Sequence, residues 1–260
     1  MGASLLERGL RHDRALVVAG LLLVVVLSWA YLFAGAGTMQ DMDGMLMPMS
    51  AGPWTPAYAL LMLLMWSVMM AAMMLPSAAP MILLYARIAA GRQGSGQAAL
   101  SAMFALGYLA IWSAFSLAAV ALQFALERLA LLSPMMVTTS VALAGALLVA
   151  AGIYQWLPFK QACLRHCRSP LEFVLAHWRS GMAGAFRMGV QHGMLCVGCC
   201  WVLMLLLFVG GVMNLAWIAG LALLVLAEKL APAGHWIGRA AGIVLAVWGA
   251  ATLLHAQRAG

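Results

Sequence analysis

The segment QHGMLCVGCCW, residues 191–201, contains four side chains that bind soft metal ions. His192 precedes Cys196 by four positions, and Cys199 and Cys200 follow Cys196 by three and four. On an α-helix these spacings put all four side chains on one face. Thiolate and imidazole are ligands that Cu(I) and Zn(II) accept, so the segment predicts a metal site. The alternative is that the cysteines are small apolar residues at close helix contacts.

Methionine is concentrated in a second apolar segment, residues 60–80. The candidate metal-binding methionines there are Met62, Met65, Met69, Met70, Met73 and Met74. The last four form two overlapping pairs spaced four residues apart, so their thioethers are expected on a common side of a helix. Thioether sulfur binds Cu(I) or Ag(I) and has little affinity for Zn(II), Mg(II) or Ca(II). The alternative is that methionine simply fills gaps in a packed core. Pro76 and Pro80 are expected to break this helix.

A predicted loop over residues 35–55, the Met/Asp loop, alternates thioethers with carboxylates. Its candidate donors are Met39, Asp41, Met42, Asp43, Met45, Met47 and Met49. A solvent-exposed loop has no packing reason to hold this many methionines. The alternative is a loop that dips back towards a membrane.

A second predicted loop, residues 158–185, contains the motif Cys163-x-x-His166-Cys167. The basic neighbours Lys160, Arg165 and Arg168 are expected to favour the thiolate form of these cysteines. The same charges also suit a membrane anchor, which leaves the cysteines unexplained. Later in this loop, the stretch SPLEFVLAHWRSG predicts a short interfacial helix with Phe173 and Trp178 as apolar anchors.

The composition is that of a polytopic membrane protein rather than a soluble domain. The chain has 260 residues, of which 66% are apolar and 8% charged, and its mean hydropathy is +1.01. Its apolar runs are continuous and do not alternate, so helices are predicted rather than a barrel. The net charge of +7 comes from basic residues scattered between apolar runs, which does not indicate nucleic-acid binding. Five cysteines, an odd number, argue against a disulfide framework.

The apolar runs predict an all-α fold: one integral membrane domain, residues 1–260, with about seven spans, or six. The predicted spans are residues 15–34, 56–75, 98–122, 135–157, 186–210, 213–228 and 236–255. This count puts twelve of the fourteen basic residues on one side, which predicts the N-terminus inside, the 158–185 loop inside and the Met/Asp loop outside. Glu228 and Lys229, at the end of the sixth span, are interpreted as an ion pair or an interfacial pair.

The second and fifth spans are expected to pack against each other, so that Met69 and Met73 supply metal to a core site. That site is predicted to consist of Cys196 and Cys199 with His192. The small residues expected at their contact are Gly193, Gly198, Ala71 and Ala72.

Several long stretches resemble a bacterial family called domain of unknown function 2182, described as predicted metal-binding integral membrane proteins. They are MMAAMMLPSAAP, YQWLPFKQACLRHCRSP, and QHGMLCVGCCWVLMLLLFVGGVMNLAW followed by EKLAP. The resemblance covers most of the chain after the first span, and it implies a bacterial membrane and a metal, with copper the one suggested. Its motif residues correspond here to Met69, Met70, Met73, Met74, Pro76, Cys163, Cys167, His192, Cys196, Cys199 and Cys200.

These observations together predict a Cu(I)-handling protein, a transporter or a membrane chaperone, in the bacterial inner (cytoplasmic) membrane. The chain has no ATP-binding motif, so a flux would be passive or coupled to another gradient, and no enzymatic activity is predicted. The expected partners are membrane lipid, a soluble copper donor or acceptor protein, and other copies in an oligomer, with no nucleic acid. Two alternatives remain: a membrane thiol–disulfide oxidoreductase using Cys196-x-x-Cys199, and a non-transporting subunit of a membrane complex.

Overall fold

The computed structural model describes residues 2–36, 39–42, 45–48, 54–93 and 96–259, and the side chains of 14–36, 54–92 and 96–257. Its helices are α1 Gly2–Phe33, α2 Pro56–Gln93, α3 Gln97–Arg128, α4 Val141–Tyr154, α5 Pro158–Arg168, α6 Pro170–Ala176, α7 Gly181–Leu205, α8 Leu207–Gly210, α9 Leu215–Leu230 and α10 Gly234–Ala259. The predicted helical fold class is confirmed. The backbone of the Met/Asp loop adds a small antiparallel hairpin, β1 Met39–Met42 paired with β2 Met45–Pro48. The donor side chains predicted in that loop lie outside the described ones.

Five helical segments are long and apolar enough to cross a membrane: α1, α2, α3, α7 continued by α8, and α10. Helices α4 and α5 meet at a bend of 63° and would form a sixth if they make one broken span. The predicted count of seven is not confirmed within the described residues. The reason is length, since α4 has 14 residues and α9 has 16, against the ~20 that span a bilayer. Ser140 caps α4 by accepting a hydrogen bond from the Leu143 amide, so this helix begins later than predicted.

Helix α2 runs without interruption through Pro76 and Pro80, so the break predicted there is wrong. Proline removes a backbone donor and pushes on the preceding turn, and a helix tolerates this where other groups supply hydrogen bonds. The carbonyls that lose their in-helix donors are those of Ala72 and Pro76, four residues before each proline. Between them, the carbonyl of Met74 accepts from the Ser77 hydroxyl at 2.9 Å and from the Tyr108 hydroxyl at 3.2 Å, which ties this stretch of α2 to α3. The continuous helix therefore carries the methionines and Ser77 on one rigid element.

Helix α7 packs mainly against α3, and the close packing predicted between α7 and α2 is wrong. The small residues of α7 are used against other neighbours. A methyl group at Gly189 would overlap the Phe104 carbonyl of α3, and one at Gly193 would meet the Ile111 side chain of α3. Gly198 instead faces the Cys163 sulfur of α5. This packing turns the cysteines of α7 towards α2, α5 and α9.

Helices α4 and α10 form a second close pair. A methyl group at Gly152 would come within 2.6 Å of the Gly242 carbonyl, so the two backbones approach closely at this level. Helix α9 packs against both α10 and α2. Helix α9 thus links the second pair to α2, and its C-terminal end lies near the start of α5.

The 158–185 segment contains α5 and α6, and Phe173 and Trp178, which were predicted as membrane anchors, pack against other side chains. Phe173 is 1% exposed and packs against the His177 and His192 rings, with centroids 4.8 and 5.4 Å away. The Trp178 ring packs on Tyr85 of α2, 5.6 Å between centroids. Phe173 and Trp178 therefore pack against side chains of the protein, because α6 lies against α2.

Changing Gly189 to Ala should destabilise the protein by about 1–3 kcal/mol, because the new methyl group overlaps backbone that cannot move aside. Gly220→Ala is the matched control, since no atom lies within 4 Å of the position that its new methyl group would take. That control should be neutral or stabilising by up to ~1 kcal/mol through helix propensity. Thermal unfolding of the two purified variants measures the difference. Equal stabilities would contradict the packing of α7 on α3.

Candidate metal centre

Four donors on α7 face the protein interior. His192, Cys196, Cys199 and Cys200 are all at most 2% exposed. The thiols of Cys199 and Cys200 both donate to the carbonyl oxygen of Cys196, with sulfur-to-oxygen distances of 3.0 and 2.9 Å. Two sulfurs therefore lie around one oxygen, and each is held by a weak hydrogen bond that a side-chain rotation would release.

Helix α2 adds a thioether to this group. The sulfur of Cys200 lies 4.0 Å from the sulfur of Met74. Met69, Met70 and Met73 are buried on the same helix, at 1% exposure or less. The contact between sulfurs of α2 and α7 therefore runs through Met74, rather than through the Met69 and Met73 pair emphasised by the sequence spacing.

Helix α5 contributes part of its predicted motif. The Cys167 side chain is within hydrogen-bonding reach of the Cys199 thiol, and Cys163 packs against α7 at Gly198. His166 is exposed, and its Nδ1 lies 2.9 Å from the Ala162 carbonyl of its own helix. The three residues of the motif thus separate: two face the interior and the histidine faces away. We call Met74, Cys167, Cys196, Cys199 and Cys200 the sulfur cluster.

Two residues at the sulfur cluster were not predicted as site residues. The Cys196 sulfur lies 3.0 Å from the Tyr108 hydroxyl and 2.9 Å from the Lys229 amine. Lys229 is 6% exposed and also donates to the Ser77 hydroxyl at 3.1 Å. An ammonium beside a thiol favours the thiolate by charge, which is the form that binds metal.

Glu228 and Lys229 do not pair with each other, so that interpretation of the sequence was wrong. Neighbouring residues on a helix point in different directions, about 100° apart, and this geometry was the signal available from sequence. The Glu228 carboxylate accepts from Lys160 at 2.7 Å and from Gln155 at 2.8 Å. Lys160 also contacts the Gln155 side-chain oxygen.

Arg168 closes the same region by donating to main-chain carbonyls at the end of α9. The distances are 2.8 Å to Glu228, 2.7 Å to Ala231 and 2.8 Å to Pro232. A basic side chain at a helix C-terminus satisfies carbonyls that have no partner within the helix. Lys160 and Arg168 therefore fix α9 in place, in addition to any effect on the nearby cysteines.

His192 is surrounded by aromatic rings. Its ring stacks on Tyr108, with centroids 5.6 Å apart, and meets the edge of Phe173. Its Nδ1 is buried without a hydrogen-bond partner among the described residues. A buried nitrogen left unsatisfied costs free energy, so this atom is available to a ligand or a proton donor that enters the site.

In this structure the described donor side chains do not surround a common position that a metal ion could occupy. Among the described residues, no three or more His, Cys, Asp and Glu side chains are grouped so as to hold a metal ion. The thiols of Cys199 and Cys200 instead face the Cys196 carbonyl. The set is chemically suited to a soft ion, with thiols and a thioether and no carboxylate, but binding requires side-chain rotations.

Replacing each buried lysine by methionine should separate their roles. Lys160→Met leaves the Glu228 carboxylate buried without its cation and should destabilise the metal-free protein by about 3–5 kcal/mol. Lys229→Met removes a buried cation that has no carboxylate partner among the described residues. We expect the free energy of unfolding to change by no more than about 1 kcal/mol, because the cost of burying this charge offsets the interactions that it makes. Thermal unfolding of the two variants tests this, and equal losses would make Lys229 a structural residue.

A protein-family model described as PpoB2, copper chaperone, matches residues 63–252. No match was found among curated proteins or among solved structures. The matched range runs from the first third of α2 into α10, and it contains the sulfur cluster together with Lys160, His192 and Lys229. It supports the copper part of the resemblance noted in the sequence, although it does not identify the chain with domain of unknown function 2182. Because the match covers well over half of its length, the chain belongs to the PpoB2 copper chaperone family.

Proposed function

We propose that this protein is an integral membrane copper chaperone that holds Cu(I) as cargo in the sulfur cluster. The observation that carries the proposal is the contact between the Cys200 and Met74 sulfurs, 4.0 Å apart in the protein interior. It brings a thioether of α2 to the thiols of α7, two elements far apart in sequence. The family description supports copper as the cargo.

The donor chemistry favours Cu(I) over Zn(II). Thiolate and thioether are both soft ligands, whereas zinc has little affinity for thioethers. Cys196, Cys199 and Cys200 are each at most 1% exposed, which keeps water and oxidants away from a bound Cu(I) ion. In the proposed complex, the Cys199 and Cys200 thiols leave the Cys196 carbonyl and turn to the metal. The Lys229 amine, 2.9 Å from the Cys196 sulfur, is placed to compensate the charge of a thiolate formed there when the metal binds.

The apolar helices support a membrane setting, and their end contacts support the predicted orientation. At one end of the bundle, the Trp54 indole before α2 donates a hydrogen bond to the Glu127 carboxylate of α3 at 2.7 Å. At the same end, the Thr138 amide before α4 donates to the Phe208 carbonyl of α8. The other end joins the end of α2 to the start of α7, where Arg92 lies over Trp178.

Most of the basic residues near helix ends lie at this second end, among them Arg92, Arg168 and Lys229, whereas Arg128 lies at the first. We therefore place the second end, with the N-terminus, on the cytoplasmic face of a bacterial inner membrane. With α4 and α9 as short crossings, the same contacts are consistent with seven passages of the chain. The Met/Asp loop then lies on the outer face.

The methionines of α2 offer a path from the outer end to the sulfur cluster. Met62 accepts a hydrogen bond from Gln123 at 3.5 Å near the outer end, and Met74 lies beside Cys200. Met65, Met69, Met70 and Met73 lie between them and are buried. A row of weak thioether sites allows an ion to move, whereas one tight site would trap it. A soluble donor or acceptor protein would exchange copper at the ends of this row.

Thiol–disulfide exchange is the second candidate function. The Lys229 amine 2.9 Å from Cys196 favours a nucleophilic thiolate as much as a metal-binding one. This function would need Cys196 and Cys199 to form a disulfide and would make no use of Met74. The two experiments below distinguish it from copper binding.

Met74→Leu should weaken Cu(I) retention about tenfold, roughly 1.4 kcal/mol, because it removes a sulfur donor at nearly constant volume. Met81→Leu is the matched control, a buried methionine further along the same helix, and should change retention less than twofold. The measurement is copper per protein after anaerobic loading and competition with a Cu(I) chelator. Replacing Cys196 and Cys199 by Ser should abolish retention. Bound zinc with no copper after reduction and loading would refute the copper assignment.

The double variant Met69→Leu, Met73→Leu should slow copper delivery to the sulfur cluster while leaving the retained amount nearly unchanged. The reason is that these thioethers lie along the path and not at its end. Stopped-flow loading with Cu(I) measures the rate, and the same chelator competition measures retention. If copper enters as fast as in the wild type, the methionine path is excluded. If thiol titration finds a reversible Cys196–Cys199 disulfide and no copper, thiol exchange replaces the proposed function.

A further inference from the structure

A basic pocket lies between α4, α5 and α10, away from the sulfur cluster. Its cavity volume is about 570 Å³. Arg165 and Arg168 of α5 line one side, and His235 and Arg239 of α10 line the other, with Trp156 between them. No Asp or Glu is among the described residues that line it. Three guanidinium groups and an imidazole therefore share one concave space without an anion.

Among the described residues, no carboxylate is paired with the basic side chains of this pocket. In the described part of the chain, the nearby carboxylate Glu228 is paired with Lys160 instead. Arg168 donates to main-chain carbonyls, which are neutral. Arg239 lies over the rings of Trp156 and Trp236, at 5.5 and 5.1 Å from their centroids. Aromatic faces hold a guanidinium in position but leave its net charge in place.

The rim of the pocket is apolar and exposed. Trp156, which lines the pocket, is 51% exposed. Trp236, which lies against the lining residues Arg239 and His235, is 60% exposed. Tryptophan is enriched where membrane proteins meet the headgroup region, and exposed apolar side chains beside it suit acyl chains. A site with basic groups inside and apolar groups at its mouth matches a ligand with a charged head and an apolar body.

We propose that this pocket binds the phosphate group of an anionic phospholipid. A guanidinium group can donate two parallel hydrogen bonds to one phosphate group. Basic pockets between membrane helices on the cytoplasmic side are known to bind lipid headgroups. Arg165 and Arg239 approach the phosphate from opposite walls, while the acyl chains follow the exposed rings of Trp156 and Trp236. The proposal rests on the membrane setting proposed above, but not on the identity of the metal.

The bound lipid would also act on α9. Arg168 is both a wall of the pocket and the donor that holds the carbonyls of Glu228 and Ala231. A phosphate beside its guanidinium keeps this side chain in place, and with it the end of the helix that carries Lys229 to Cys196.

The test uses the full-length protein in a non-ionic detergent and native mass spectrometry with three probes: phosphatidylglycerol, phosphatidylcholine and inorganic phosphate. The variant is Arg165→Gln combined with Arg239→Gln. The control is Arg128→Gln, which removes an arginine that also lies over an aromatic ring, Phe124, but outside the pocket. We expect phosphatidylglycerol to bind the wild type and the control alike, and to bind the double variant at least tenfold more weakly. Phosphatidylcholine should bind all three poorly.

Equal phosphatidylglycerol binding by the double variant and the control would overturn the proposal. Binding of inorganic phosphate as tight as that of the lipid would overturn the lipid part, because the ligand would then be a soluble anion. Arg165→Gln alone, at an exposed side chain, serves if the double variant does not fold, and should weaken binding severalfold. Copper retention is measured on the same samples. If the wild type retains copper but does not bind phosphatidylglycerol, the lipid site is refuted while the proposed copper function stands.

Discussion

The close approach of α7 to α3 is the constraint on which the rest of the structure depends. Gly189 has no side chain, and the Phe104 carbonyl occupies the space where one would be. With that face of α7 committed to α3, its cysteines can only turn towards α2, α5 and α9. The thiols then meet Met74, Cys167 and Lys229 from three different helices. A glycine contact that contains no metal-binding atom thus decides which donors can meet.

The interior that results combines soft, apolar donors with a few strongly polar groups, and the two kinds are placed differently. The Lys160 and Glu228 side chains are paired and hydrogen-bonded, so they hold α9 without further partners. Among the described residues, Lys229 donates to a hydroxyl and a thiol, and the His192 Nδ1 has no partner. Buried groups left incompletely satisfied cost stability, and such costs concentrate at functional sites. The Lys160–Glu228 pair thus holds the helices in position, whereas Lys229 and His192 lie beside the proposed copper site.

Sequence patterns predicted the parts of this arrangement that depend on local periodicity. Spacing by three and four put Cys196, Cys199 and Cys200 on one helix face, and the structure buries that face. The apolar runs located the long helices, and also α4 within residues 135–157 and α9 near residues 213–228, although these two helices have only 14 and 16 residues. What could not be predicted was set by contacts distant in sequence: Tyr108 and Lys229 reach Cys196 from α3 and α9. The prolines of α2 were misjudged for the same reason, because the helix that contains them packs along α3, where the Tyr108 hydroxyl contacts the Met74 carbonyl.

The position of Glu228 also bears on how the chain enters a membrane during synthesis. Helix α9 has 16 residues and ends with two ionisable side chains, each costing about 2.5–3.5 kcal/mol if placed alone at the centre of a bilayer. Such a segment is a poor candidate for independent insertion. Lys160 lies 68 residues earlier in the chain, so its cation emerges from the ribosome well before the carboxylate it will meet. In the proposed membrane setting, the order of translation itself places the counter-ion first, and α9 enters against a partner that is already present.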